Sequence, residues 1–223
     1  KDNYWFGVSL RARLLVYNRN SINKSDLNGY IDLANNKWKG KILVRSSSNV
    51  YNQSLISAMV IKYGEEEVKK FLKGFISNFA RKPSGGDRDQ IRAVAAGEGD
   101  LALVNSYYFL KMKSQDNEKK LAHIIEYFPK DNFMQTHINI SGAGIIKNSK
   151  NKENAIKFLE FLVSNEAQKI YAEVNFEYPI RKNIELNRFM KKYNNFIKDD
   201  INLSDLAKLN KKSIMLMDIA GWQ

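Results

Sequence analysis

Apolar positions along this chain switch between two periods. Runs of extended character fall at 8–17, 41–44, 100–104, 124–128 and 137–146, and these predict strands. Between them Val68, Phe71, Leu72, Phe75, Ile76 and Phe79 recur at helical spacing, which predicts one core-facing stripe. Ala155, Phe158, Leu159 and Leu162 repeat the pattern, and a further helical segment follows around 167–171. Strands alternating with helices predict an α/β sheet fold. Tyr178-Pro179 predicts a turn leaving that last helical region, because proline restricts the residue before it. The segments 8–17 and 137–146 stand apart as long, extended stretches remote from each other in sequence.

Composition narrows the class. A chain of 223 residues can bury one large core or two modest ones, and 43% hydrophobic with 12% aromatic content fits a folded globular protein. No apolar run approaches the roughly 18 residues that suggest a membrane span. Lys1-Asp-Asn-Tyr-Trp5 opens the chain without the basic and apolar pattern of a signal peptide. The absence of cysteine excludes disulfides, thiolate metal sites and cysteine nucleophiles. The net charge of +12 raises the question of nucleic acid. However, the lysines lie among acidic neighbours, as in Glu65-Glu-Glu-Val-Lys-Lys70, and no aromatic-interleaved basic motif accompanies them. The charge therefore reads as a solvated surface rich in lysine and asparagine, and no nucleic-acid partner is expected.

The candidate chemistry centres on the pair Tyr107-Tyr108 at the end of Asp100-Leu-Ala-Leu-Val-Asn-Ser-Tyr-Tyr-Phe109. Phenolate oxygens are hard and anionic, so neighbouring phenols at a strand end suit a small, highly charged cation such as Fe3+. By itself the pair proves little, since such dipeptides mostly pack with one ring in the core and one at the surface. Tyr51 lies just inside a candidate helix start after Ser46-Ser-Ser-Asn49, and plain capping with the ring packed on the sheet accounts for it locally. Arg11 and Arg13 alternate onto one face of the first strand. His123 and His137 lack zinc-site spacing and read as structural. Gly85-Gly86 matches neither a phosphate loop nor a dinucleotide fingerprint, and no serine-hydrolase elbow is present.

Several motifs in order go further. Trp5-Phe-Gly-Val-Ser-Leu-Arg-Ala-Arg13, Arg45-Ser-Ser-Ser-Asn-Val-Tyr-Asn-Gln-Ser-Leu55, the stretch from Pro83-Ser-Gly-Gly86 to Tyr108, Asn165-Glu-Ala-Gln168 through Tyr178-Pro179, and the closing Ala220-Gly-Trp-Gln223 together carry a resemblance. The chain resembles the periplasmic ferric-iron-binding proteins of bacterial ABC iron importers, specifically the tyrosine-rich branch of cyanobacteria and other marine bacteria. The resemblance implies a two-lobed clamshell of the periplasmic-binding-protein type II class, present here as a C-terminal fragment with an incomplete N-terminal lobe. Residues 11–138 and 188–223 would form the C-terminal lobe, and 1–10 with 139–187 the remaining part of the other. The segments near 8–17 and 137–146 would then be the hinge.

The same resemblance implies Tyr51, Tyr107 and Tyr108 as iron ligands, with further ligands from the missing N-terminal segment. Arg11 would lie beside the metal-binding phenols. Ser47, Ser48 and Asn49 are positioned for a synergistic anion at a helix N-terminus, which this branch does not require. Lys111 stands where several relatives carry arginine, so a bidentate role there does not transfer. The implied function is capture of ferric iron or ferric citrate by a monomeric periplasmic receptor that serves an inner-membrane ABC permease and catalyses nothing. Two alternatives remain at this level. One is a receptor of the same fold for an organic or phosphorylated solute such as a polyamine, thiamine or a phosphonate. The other is an enzyme using a tyrosine as acid or base.

Overall fold

The computed structural model describes residues 5–116 and 119–223; residues 1–4, part of the expected 1–10 lobe segment, lie outside the described residues. The spine is β1 (Phe6–Asn18), whose Leu14, Leu15 and Val16 have no exposed surface. Leu15 and Tyr17 enter one apolar cluster, while Ala12, Leu14 and Val16 enter another on the opposite face. A strand covered on both faces reads as a continuous apolar run, which is why Leu14-Leu-Val-Tyr17 does not alternate.

The second half of β1 pairs antiparallel with β3 (Leu101–Asn105) and β4 (Ile124–Tyr127), and its first half pairs antiparallel with β5 (Ile138–Ala143). A short β2 (Ile42–Leu43) runs parallel to β3 at the other edge, so the order is β2-β3-β1-β4. β1 changes partner between Ala12, opposite Ile138, and Arg13, opposite Asn105. At this junction the Ala12 N–H donates to Ser106 Oγ at 3.1 Å and the Arg13 N–H donates to the His137 carbonyl at 2.8 Å. No backbone donor is stranded where the strand leaves one sheet for the other.

Helices cover both faces. On one lie α1 (Val50–Tyr63), α2 (Glu65–Ser77) and α8 (Leu203–Ala220), which close over Leu15 with Val68, Phe71, Leu72, Phe75 and Met217. Gly64, at φ +83°, breaks α1 from α2, and three glutamates follow at the positive start of α2. On the other face lie α3 (Asp87–Ala96), α4 (Ser106–Ser114) and the short α7 (Arg188–Lys192). The remaining helices are α5 (Lys152–Leu162) and α6 (Asn165–Ile170), and α6 runs into a π-helical turn, Tyr171–Asn175.

Four expectations change in detail. The stripe through Phe79 outruns its helix: α2 ends at Ser77, and Phe79 instead bridges to Ile42. The extended run at 137–146 yields a strand only over Ile138–Ala143. The stripe on α5 forms a helix but buries none of its residues: Phe158 is 60% exposed and Phe161 43%, since no described element packs over them. Tyr178 does leave the helical region, but as a bridge residue and not as a turn. It makes a two-bond antiparallel bridge to Leu10, both bonds 2.8 Å, and its buried hydroxyl donates to the Tyr193 carbonyl.

Candidate metal centre

Because β2 and β3 are parallel, their C-terminal ends face the same way. Each feeds a helix. Residues 44–49 connect β2 to α1, whose first turn holds Tyr51; β3 passes without a loop into α4, whose first turn holds Tyr107 and Tyr108. Two helix N-termini therefore sit side by side beyond the carboxyl ends of the strands, the place where open α/β sheets bind ligands. Asn49 caps α1, its side chain accepting from the Tyr51 N–H at 3.2 Å.

The three phenols converge. The Tyr107 and Tyr108 rings stand 4.0 Å apart between centroids at 33°. Burial, then hydrogen bonding with Tyr108 and the nearby Tyr51, pushes the Tyr107 hydroxyl far above the ordinary tyrosine range. Without a cation the pocket favours the protonated phenol, so ionising it requires positive charge close by. Arg11 supplies some of that charge. Its Nη1 donates to the Tyr51 hydroxyl at 2.5 Å, and its guanidinium carbon lies 5.2 Å from the Tyr107 ring centre. Burial opposes the Arg11 charge, but Glu177, Tyr51 and Tyr107 outweigh it and hold the guanidinium above its ordinary value. Arg88 reaches over the Tyr108 ring from α3, 5.4 Å from its centre.

A buried polar cluster holds both helix starts at fixed spacing. Asp87, at the start of α3, accepts from the Asn105 backbone at 2.7 Å and from its side chain at 3.0 Å, directly before Ser106-Tyr107-Tyr108. Asp87 also pairs with Arg45 at 3.2 Å and with fully buried Arg13 at 3.5 Å. Arg13 in turn donates to Asn52, the neighbour of Tyr51, at 2.5 Å. One carboxylate thus ties β1, the approach to α1 and the β3–α4 junction together. Arg13, which shares a strand face with Arg11, has no exposure at all.

A model of the bacterial extracellular solute-binding proteins matches residues 1–202. The chain belongs to that family. It is 41% identical over 225 residues to Iron uptake protein A1 of Synechocystis, covering 100% of this chain and 62% of that protein. Iron uptake protein A2 of the same organism is 42% identical over 227 residues, with 66% of its length covered. The chain therefore spans somewhat less than two thirds of these relatives. The solved structure of a Trichodesmium protein, IdiA (FutA), in complex with iron and citrate superposes with a TM-score of 0.92 at 49% identity, over 98% of this chain and 70% of that one. The fold is that of the type II two-lobed solute-binding proteins, of which this chain carries a part.

In this solute-binding protein the structure brings Tyr51, Tyr107, Tyr108 and Arg11 together. Ser47, Ser48 and Asn49 lie beside them at the start of α1, but with partners of their own: Asn49 is the cap, Ser48 Oγ lies 3.0 Å from Ser46 Oγ, and the Ser47 carbonyl accepts from Gln53 at 3.3 Å. His137 is buried with Nε2 2.9 Å from Ser54 Oγ; burial and then Arg13 depress it to about 3, so it stays neutral. Among the described residues, no group of three or more histidines and carboxylates is arranged to hold a metal. Sequence reasoning missed Arg88, Asp87 and Glu177. For Asp87 a signal existed in its place just after Gly85-Gly86; for Glu177 no local signal existed.

Proposed function

We propose that this chain is the larger part of a ferric-ion receptor that captures Fe3+ between two lobes and hands it to the permease of an ABC importer. The observation that carries the proposal is the convergence of Tyr51, Tyr107 and Tyr108 from two adjacent helix N-termini, with the Arg11 guanidinium against Tyr51 and Tyr107 and that of Arg88 over Tyr108. Three phenolates match the charge of Fe3+, and their electron donation favours ferric over ferrous iron. Iron must displace the phenol protons, so affinity falls steeply as pH drops, by up to about three decades per unit for three released protons.

Residues 11–138 with 188–223 would form one lobe, and 1–10 with 139–187 part of the other, hinged near 8–17 and 137–146. The partner exchange of β1 at Ala12 and Arg13 supports a hinge there. Further ligands would come from upstream residues of the longer protein. Iron binding shifts the balance between open and closed forms through its higher affinity for the closed one. The receptor would act as a periplasmic monomer with ferric iron or ferric citrate as its cargo, and no catalytic step is included. Residues 47–49 remain an optional anion site that the three phenolates make unnecessary for charge balance.

Titration of the protein, extended to the length of its relatives, with ferric citrate should develop a visible phenolate-to-iron charge-transfer band that saturates near one equivalent. Tyr107→Phe and Tyr108→Phe should each weaken or shift that band. A colourless protein that retains no iron would reject the proposal and favour an organic solute in the same cleft.

A further inference from the structure

Arg11 is held from two sides. While Nη1 faces Tyr51, Nη2 lies 3.3 Å from Glu177 Oε1. The two acidic and basic partners are 166 positions apart, and the Leu10–Tyr178 bridge is what makes them neighbours. In an antiparallel bridge the residue before Tyr178 falls beside the residue after Leu10, so Glu177 is delivered to Arg11 by backbone pairing. The chain reaches this position through Phe176, a non-glycine residue in the left-handed region at φ +58° that ends the π-helical turn. Such a conformation is strained for a residue with a Cβ and persists only where packing enforces it. Here Phe176 is buried against Phe189, with centroids 5.7 Å apart.

The Glu177 carboxylate is itself fully engaged. Its side chain is 8% exposed, Ser9 donates to Oε2, and Ser141 on β5 donates to the same oxygen at 3.4 Å. A charged carboxylate buried this deeply, with its second oxygen fixed by two hydroxyls, leaves Oε1 aimed at Arg11. Long arginine side chains have many rotamers, and the hydrogen bond to Tyr51 needs one of them. Glu177 removes that freedom.

We infer that Glu177 is a positioning residue for the tyrosine site: it holds the Arg11 guanidinium against Tyr51 and thereby sets how firmly the phenols keep their cargo. It acts through Arg11, its hydrogen-bonding partners being Arg11, Ser9 and Ser141 and none of Tyr51, Tyr107 and Tyr108. Glu177 also comes from the 139–187 segment, whereas Tyr51 stands on α1. The chain Glu177–Arg11–Tyr51 therefore links the segment beyond β5 to the phenol cluster. The inference rests on the ferric reading above.

The test uses the protein at the full length of its relatives, loaded with ferric citrate, as wild type, Glu177→Gln, Arg11→Gln and the double variant. Glu177→Gln should release iron to a chelator about 10-fold faster, the lower end of what partners of metal-site residues typically contribute. Its charge-transfer band should move to lower energy, because a phenolate deprived of its hydrogen bond donates more strongly. In the Arg11→Gln background the same substitution should add nothing to either readout. A purely structural role would lower the melting temperature of the metal-free protein and leave this non-additivity absent. Should Glu177→Gln not fold, Glu177→Asp keeps the charge but draws it away from Arg11, and the same signature is expected. Release and band unchanged in a folded variant, or an undiminished effect without Arg11, would overturn the inference and leave the ferric reading intact. A wild type that takes up no ferric iron would overturn both.

Discussion

The helices that carry the phenols and the pair α5 and α6 that follows β5 present their apolar residues to opposite fates. α1 and α4 start at the ends of adjacent parallel strands, and their apolar faces vanish into cores on either side of β1. α5 presents Phe158 and Phe161, and α6 with the π-helical turn after it presents Ile170 and Val174, all more than two fifths exposed. Yet the segment after α6 supplies Glu177, which reaches back to steady Arg11. The three phenols thus stand on helices packed into closed cores, whereas Glu177, the proposed partner of Arg11, comes from a region whose apolar stripe lies open. Donor placement and donor tuning are separable tasks, and the fold assigns them to different segments.

The largest loss is expected at the buried Asp87 cluster. Asp87→Ala leaves Arg13 buried without its carboxylate and should destabilise the protein by about 3–5 kcal/mol, measured by denaturant melting. Iron uptake should fail with it, since both tyrosine-bearing helix starts lose their common tie. A loss below about 1 kcal/mol would mean that water replaces the carboxylate and that the cluster is not the anchor of the site. Next, Leu72→Ala in the closed core should cost about 2–5 kcal/mol. The matching change on the open stripe, Phe158→Ala in the 223-residue chain, should stay within about 0.5 kcal/mol. Equal losses at the two positions would erase the contrast between the regions.

Acid should act mainly on the closed region. His137 is depressed from its ordinary value to about 3 by burial and by Arg13, so the unfolded chain binds a proton that the folded one refuses. Stability from this group is therefore present above about pH 6.5 and lost as pH falls toward 3, by up to about 1.4 kcal/mol per unit. His137→Gln should flatten that slope in thermal melts taken across the interval. A modest effect is also expected at the helix start itself. Asn49→Ala removes the cap that orients the first turn of α1 and should cost about 1 kcal/mol, with weaker iron retention because Tyr51 shares that turn.

Parts of this molecule could be read one segment at a time. The stripe Val68, Phe71, Leu72, Phe75 predicted α2 because helical period and burial coincide there. The Ser46-Ser-Ser-Asn49 run predicted a helix start because capping is a local interaction between a side chain and an amide two residues away. Tyr107-Tyr108 pointed to paired phenols because adjacency is itself a sequence property. The α5 stripe marked a helix equally well but said nothing of burial, since periodicity states which face is apolar and not what lies against it.

Sequence by itself determined the elements, the helix starts and the residue types able to hold a hard cation, because these depend on contacts within a few positions. Only the tertiary structure decided that Tyr51 meets Tyr107, that Arg13 is buried rather than solvated, and that Glu177 stands behind Arg11. Those contacts join residues tens to hundreds of positions apart. They exist because a parallel strand pair aligns two helix N-termini and a single backbone bridge sets Tyr178 against Leu10. No local propensity encodes such a pairing; it follows from burying both faces of one strand at once.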